Sequence, residues 1–222
     1  MNQQIDKLAE TMEWYKEELA RKLIESLEKN NISGFYVGTG EEALEKLLGL
    51  IPTGSKVGHG GSLTLEQIGA IEALRKGNYD FMDRRRPGIS EEEHHRLRKE
   101  SLFADVFLMS TNALTMDGKL VNIDGIGNRL AALIFGPNKV IIIAGINKVV
   151  PDMDAAINRI KNYVAPIHAR RGDRPLPCAK TGNCINCHAP ERFCNALVTI
   201  EHQYQRNKDR ITVIIVGEEL GL

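Results

Sequence analysis

Apolar residues fall along this chain in three spacings, and each spacing predicts a different element. Between Asp6 and Asn30 they recur at Leu8, Met12, Tyr15, Leu19, Leu23, Ile24 and Leu27. That is the rhythm of one helical face, so a long amphipathic helix is expected, closed by Asn30-Asn31. Val106–Met109 and Val140–Ala144 are unbroken apolar runs without helical phase, the pattern of strands buried on both faces. Ile211–Val216, ITVIIV, is β-branched throughout and stops at Gly217, which predicts a further strand. Lys119–Ile123 alternates instead. It follows the hairpin-type pair Asp117-Gly118 and leads through Asp124-Gly125-Ile126-Gly127-Asn128-Arg129 into an Ala-rich apolar helix, Leu130–Phe135.

Upstream the pattern alternates between strand and helix. Gly34–Val37, Lys56–Gly58 and Tyr79–Met82 read as short strands. Glu41–Leu48, Leu65–Lys76 and Ser90–Ser101 read as helices, the last opened by the capping-box-like Ser90-Glu91-Glu92-Glu93. Such alternation implies a mostly parallel sheet covered on both faces. The chain then divides into an N-terminal helix, residues 1–32, and one α/β domain, residues 33–222, holding a cysteine-rich loop at 174–195. Met12, Trp14 and Tyr15 could make the helix an arm on a second subunit, a homodimer, although an aromatic stripe at this spacing more often packs on its own core.

Parallel strands deliver their following loops to one edge, where α/β sheets hold ligands. Two loops stand out there. Gly58-His59-Gly60-Gly61-Ser62-Leu63-Thr64 has neither a Walker lysine nor a full dinucleotide fingerprint, and is a generic anion-friendly turn. Ser62 and Thr64 either cap the next helix or help backbone amides hold a phosphate or carboxylate. The Asp124–Arg129 hexad likewise has two readings, helix capping by Asp124 and Asn128 or a ligand site to which Arg129 adds donors. The density of Asn112, Asn122, Asp124, Asn128 and Asn147 beyond apolar strands favours a site. The expectation is one cleft built by Gly60, Gly61, Ser62, Thr64, Asn112, Asp124, Asn128 and Arg129, binding a small anionic organic acid or phosphorylated metabolite. No catalytic residue is assigned. His59 is an acid–base candidate or a hydrogen-bonded turn residue, and Glu66 a carboxylate candidate or a helix-dipole partner. Arg84-Arg85-Arg86 and Arg170-Arg171 are read as solvated runs with room for one inward arginine of the three, and His94 and His95 as surface.

Lys plus Arg and Asp plus Glu each number 29, so net charge gives no argument for nucleic acid or a membrane surface. The N-terminus is polar, without an apolar signal core, and no stretch has the length of a membrane span, so a cytoplasmic protein is expected. The four cysteines, Cys178, Cys184, Cys187 and Cys194, all lie within PCAKTGNCINCHAPERFCN. A tetrahedral zinc site and an iron–sulfur cluster both accept four thiolates, and the spacing chooses neither. The bland alternative is free or pairwise-oxidised thiols. His188 is a spare ligand at most.

Together GHGGSLTLEQIG, the block ADVFLMSTNALTMDGKLVNIDGIGNRLAALIFGPNKVIIIAGINKVV and the cysteine loop resemble the LUD-domain, lactate-utilisation family of bacterial proteins, in its branch with a C-terminal cysteine cluster. The resemblance runs from about Ser33 to Gly221. It implies a three-layer α/β/α fold similar to the ribose-5-phosphate isomerase, glucosamine-6-phosphate deaminase and CoA-transferase group. It also implies a place in organic-acid oxidation beside iron–sulfur redox partner proteins, which tips the metal expectation from zinc towards an iron–sulfur cluster. No glutamate stands in a context resembling the CoA-transferase nucleophile, so covalent CoA chemistry is not carried over.

Overall fold

The computed structural model describes residues 2–222. A helix α1 (Asn2–Lys29) leads into β1 (Ser33–Val37), α2 (Gly40–Gly49), β2 (Lys56–His59), α3 (Leu63–Gln67), α4 (Ala70–Lys76), β3 (Asp80–Phe81) and α5 (Glu91–Glu100). The central block gives β4 (Val106–Met109), β5 (Ala113–Thr115), β6 (Leu120–Asp124), α6 (Asn128–Ile134), β7 (Lys139–Gly145) and β8 (Val149–Val150). Then come α7 (Met153–Arg159), α8 (Ala165–Arg171), α9 (Pro177–Thr181), β9 (Ala196–Ile200) and β10 (Ile211–Val216).

Six strands form one all-parallel sheet in the order β1-β10-β7-β4-β2-β3. The three apolar runs β4, β7 and β10 are interior neighbours, as their composition predicts, because both faces of each are covered. Phe107, Met109, Val140, Ile142, Val213 and Ile215 pack with Leu23 and Leu27 of α1 and Leu133 of α6. The alternate residues Val106, Leu108, Ile141, Ile143, Ile214 and Val216 pack with Leu47 of α2, Leu65 of α3 and Leu74 of α4. Helices on both sides of a parallel sheet make the three-layer α/β/α fold.

Four elements differ from expectation. The Lys119–Ile123 strand does not join the central sheet; as β6 it pairs antiparallel with β5 and β9 in a second sheet ordered β8-β5-β6-β9. The helix expected over Leu65–Lys76 is two, because Gly69 takes a left-handed φ of 74° between α3 and α4. Strand Tyr79–Met82 shrinks to the edge pair Asp80–Phe81. Helix α1 starts ahead of Asp6, and it meets the core through Ala20, Leu23 and Leu27 while Ile5, Leu8, Met12, Trp14 and Tyr15 stay 53–61% exposed. No helix among the described residues is long and apolar enough to cross a membrane.

Candidate functional site

The loops following β2, β3, β4, β6 and β7 meet α5 and α8 at the C-terminal edge of the sheet and enclose a cleft of about 600 Å³. That size suits a small-molecule site. Gly61, Ser62, Thr64, Asn112, Asp124, Asn128 and Arg129 all line it. Gly60 lies just behind the wall, where a Cβ would stand 3.1 Å from Arg129 Cδ.

Arg129 ties the two sheets together. One terminal nitrogen donates to the Ser110 carbonyl at 3.1 Å and to Asn122 Oδ1 at 2.7 Å; the other donates to Asn112 Oδ1 at 3.1 Å and to the Ile123 carbonyl at 2.8 Å. All four terminal N–H groups are thereby used, so only Nε–H is left for a ligand. Asn122, fully buried, completes the knot: it donates to Thr111 Oγ1 at 3.0 Å and accepts from the Asn112 amide at 3.2 Å. The polar residues of this block hold one another in place.

The two turn readings resolve differently. Ser62 caps α3, accepting from the Leu65 amide at 3.2 Å, whereas Thr64 is 1% exposed and faces other side chains. Neither Asp124 nor Asn128 caps α6, because left-handed Gly127, at φ 89°, takes the N-cap position with no side-chain cap. Asp124 Oδ1 accepts from the Gly125 amide at 3.1 Å, and its Oδ2 is buried without a partner.

Further side chains line the cleft, and of these Lys148, Arg98 and Arg174 were not singled out from the sequence. Lys148, 3% exposed, ends a 3₁₀ turn after β7 and donates to Thr64 Oγ1 at 2.9 Å and Ser110 Oγ at 2.8 Å. Burial, then Arg159 and Arg129 beside it, push its pKa down to about 7. Arg84 is the inward member of the arginine triplet, 8% exposed, its Nε donating to the His59 carbonyl at 3.1 Å; burial and Arg98 lower its pKa to about 10. Arg98 keeps a buried Nε without a partner. Gly61 makes room for the tips of Arg84 and Arg85, each 3.2 Å from where a Cβ would stand. Counting Arg85, Arg171 and Arg174, seven Lys and Arg side chains line the cleft against two carboxylates, Glu91 and Asp124. The neutral chain is locally cationic.

His94, expected on the surface, lines the cleft 3.4 Å from Arg84, and partial burial followed by Arg98 and Arg84 holds its pKa below the ordinary value. Its helix turns that face inward. His95 is exposed, as expected. His59 stays out of the cleft: 1% exposed, its Nδ1 lies 2.9 Å from the Gly60 carbonyl, and burial and then Arg84 lower its pKa to about 4. Glu66 pairs with Arg85.

The cysteine loop is of another kind. Its four thiols are free and half-buried. Burial and then the neighbouring Cys187 push the Cys178 thiol up, so its thiolate would need a cation beside it. That donor set suits a four-thiolate zinc or iron–sulfur shell, but among the described residues no three His, Cys, Asp or Glu side chains converge on one centre. Metal binding would require the loop to draw inward. Little resists this: the Cys184 amide meets Asn162 Oδ1 at 3.3 Å, and Arg192 clips the Cys187 and Cys194 carbonyls at 2.7 and 3.2 Å. The end of the loop is a wall of the cleft. Phe193 packs over Gly125, where a Cβ would stand 3.1 Å from it, and meets the His168 ring edge-on at 5.1 Å. The Asn195 amide donates to the Asp124 carbonyl at 3.0 Å.

The sequence model of the LUD domain matches residues 20–216. A DUF162 family protein from Deinococcus radiodurans has a similar fold, with a TM-score of 0.51 at 13% identity over 91% of this chain and 98% of that one. No curated protein matches the chain.

Proposed function

This chain belongs to the LUD-domain family, and on that premise we propose that it binds a small anionic metabolite in the cationic cleft and serves a lactate-type organic-acid oxidation system. The observation that carries the reading is the excess of six arginine side chains over two side-chain carboxylates around one ligand-sized cavity. A site so charged selects an organic acid or a phosphorylated metabolite over a neutral compound. Arg84 and Arg98 do the binding, since Arg129 is already committed to the protein. Isothermal titration with lactate, pyruvate and inorganic phosphate tests it. One of these is expected to bind, more weakly as salt is raised, and absence of binding by all three would overturn the reading.

The cysteine loop is proposed to hold an iron–sulfur cluster through Cys178, Cys184, Cys187 and Cys194, exchanging electrons with iron–sulfur partner proteins in the cytoplasm. When bound, a cluster supplies one-electron transfer. The chain's own residues bring the loop to the cleft wall through Phe193 and Asn195. Structural zinc in an enzyme or sensor is the second reading, favoured by the ability of the same four thiols to suit either metal. Iron, sulfide and visible absorbance of anaerobically purified protein decide: stoichiometric zinc without iron refutes the cluster. The exposed apolar stripe of α1 is proposed to pair with a second copy, which light scattering tests; a monomer at micromolar concentration removes it.

A further inference from the structure

Lys148 stands out among the charged groups of the cleft for its partners. It is 3% exposed, its Nζ touches two hydroxyls, Thr64 Oγ1 and Ser110 Oγ, and among the described residues no carboxylate pairs with it. The charges that act on it are the guanidinium groups of Arg159 and Arg129. A buried ammonium without a counter-ion, facing two cations, is costly, whereas the neutral amine is not. A neutral amine has two N–H donors and one lone pair. The two hydroxyls take the donors, so the lone pair is its unspent function. Gly221 keeps the approach narrow: a Cβ there would stand 3.0 Å from Nζ and 2.5 Å from Thr64 Oγ1.

We propose that Lys148 is a nucleophilic amine that condenses with the carbonyl of a 2-oxo acid held by the cleft. This rests on the anion-binding reading and narrows it to a carboxylate bearing an adjacent carbonyl. The step balances without a redox partner: Nζ adds to the carbonyl carbon, the carbonyl oxygen leaves as water with both amine protons, and a carbon–nitrogen double bond joins substrate to lysine. Arg84 and Arg98 neutralise the carboxylate. Ser110 and Thr64 hold Nζ in place, their hydroxyls accepting from the amine before it reacts. At neutral pH an ordinary lysine is neutral in roughly one molecule in a few thousand, and one titrating near 7 in about half. The depressed pKa, about 7, therefore supports the geometry.

The test incubates the full chain with pyruvate and cyanoborohydride and maps the reduced adduct by peptide mass spectrometry. Labelling concentrated on Lys148, about tenfold or more over any other lysine, and suppressed by excess lactate, is expected. Lys148→Arg, confirmed folded by circular dichroism, should lose the adduct and keep lactate binding by titration. If that variant does not fold, lactate protection in the unaltered chain decides alone. Adduct spread evenly over surface lysines overturns the proposal. Should lactate or phosphate bind while pyruvate leaves Lys148 unlabelled, the imine fails and the anion site stands; if none of lactate, phosphate and pyruvate binds, both readings fall.

Discussion

The cleft and the cysteine loop share a wall, yet they are built on opposite principles. In the cleft, Arg129, Asn122, Asn112 and Thr111 are bonded to one another and to two sheets, and the binding groups inherit positions that the core has already fixed. In the loop, side chains bond mostly to near neighbours, and among the described residues the cysteines do not converge on one centre. A preorganised site spends folding energy before its ligand arrives; a site left open takes its geometry from the ligand.

The sharpest way to break the contrast is Arg129→Met. Four hydrogen bonds to a charged group are lost and their buried acceptors left bare, so about 3–5 kcal/mol of stability should go. Urea unfolding with an unchanged slope reads this. A loss under about 1 kcal/mol would mean that the network is not what holds the cleft.

Next in size is the histidine beneath the cleft. With its folded pKa lowered to about 4, His59 stays neutral where the unfolded chain takes up a proton, so stability falls as pH drops from the ordinary histidine range towards 4. The sign follows because the unfolded state binds more protons throughout that window. The contribution is on the order of 3 kcal/mol, and His59→Gln should flatten that part of the stability–pH curve relative to the parent. Equal slopes in both proteins would place the acid sensitivity elsewhere.

Gly61→Ala probes binding alone. The new methyl meets only the flexible tips of Arg84 and Arg85, so the melting point should hold while anion affinity drops by about 1 kcal/mol. A large fall in melting point would contradict that separation.

The smallest effect on folding belongs to Cys187→Ser. Metal-free protein should change by no more than about 0.5 kcal/mol, as at other sites outside the packed core, while metal uptake is lost. Destabilisation of the metal-free sheet would show that the loop is part of the core after all.

How far the fold could be read from the chain follows burial on two faces. β4, β7 and β10 declared themselves because every residue in them except Lys139, at the start of β7, is buried, and residue identity alone carries that signal. β5, β8 and β9 did not: they are three, two and five residues long, and their pairing depends on partners distant in sequence. The cleft divides in the same way. Glycines and asparagines at strand ends marked the edge where ligand groups gather, and seven of the eight residues named from sequence line the cavity. The role of Arg129 was not legible, because its acceptors come from the segments Ser110–Asn112 and Asn122–Ile123, brought together only by the second sheet. Lys148 looked like any lysine after an apolar strand. Its position at the C-terminal end of a central strand was the available clue, and its burial comes from Thr64 and Ser110, contributed by two other loops.

The two-residue strand β3 bears on how copies of the chain treat one another. Along this outer rim the ladder climbs from the Asp80 amide to the Ser55 carbonyl and from the Met82 amide to the Val57 carbonyl, so the next rung belongs to residue 84 and the His59 carbonyl. Arg84 makes that rung with its side chain, while its own amide turns back to the Met82 carbonyl at 3.0 Å. The guanidinium thus stops the strand and plugs the acceptor that a foreign strand would seek, a charged stopper on an open sheet edge. Loss of Arg84 would leave a bare rung beside an apolar core strand and invite edge-to-edge growth between molecules.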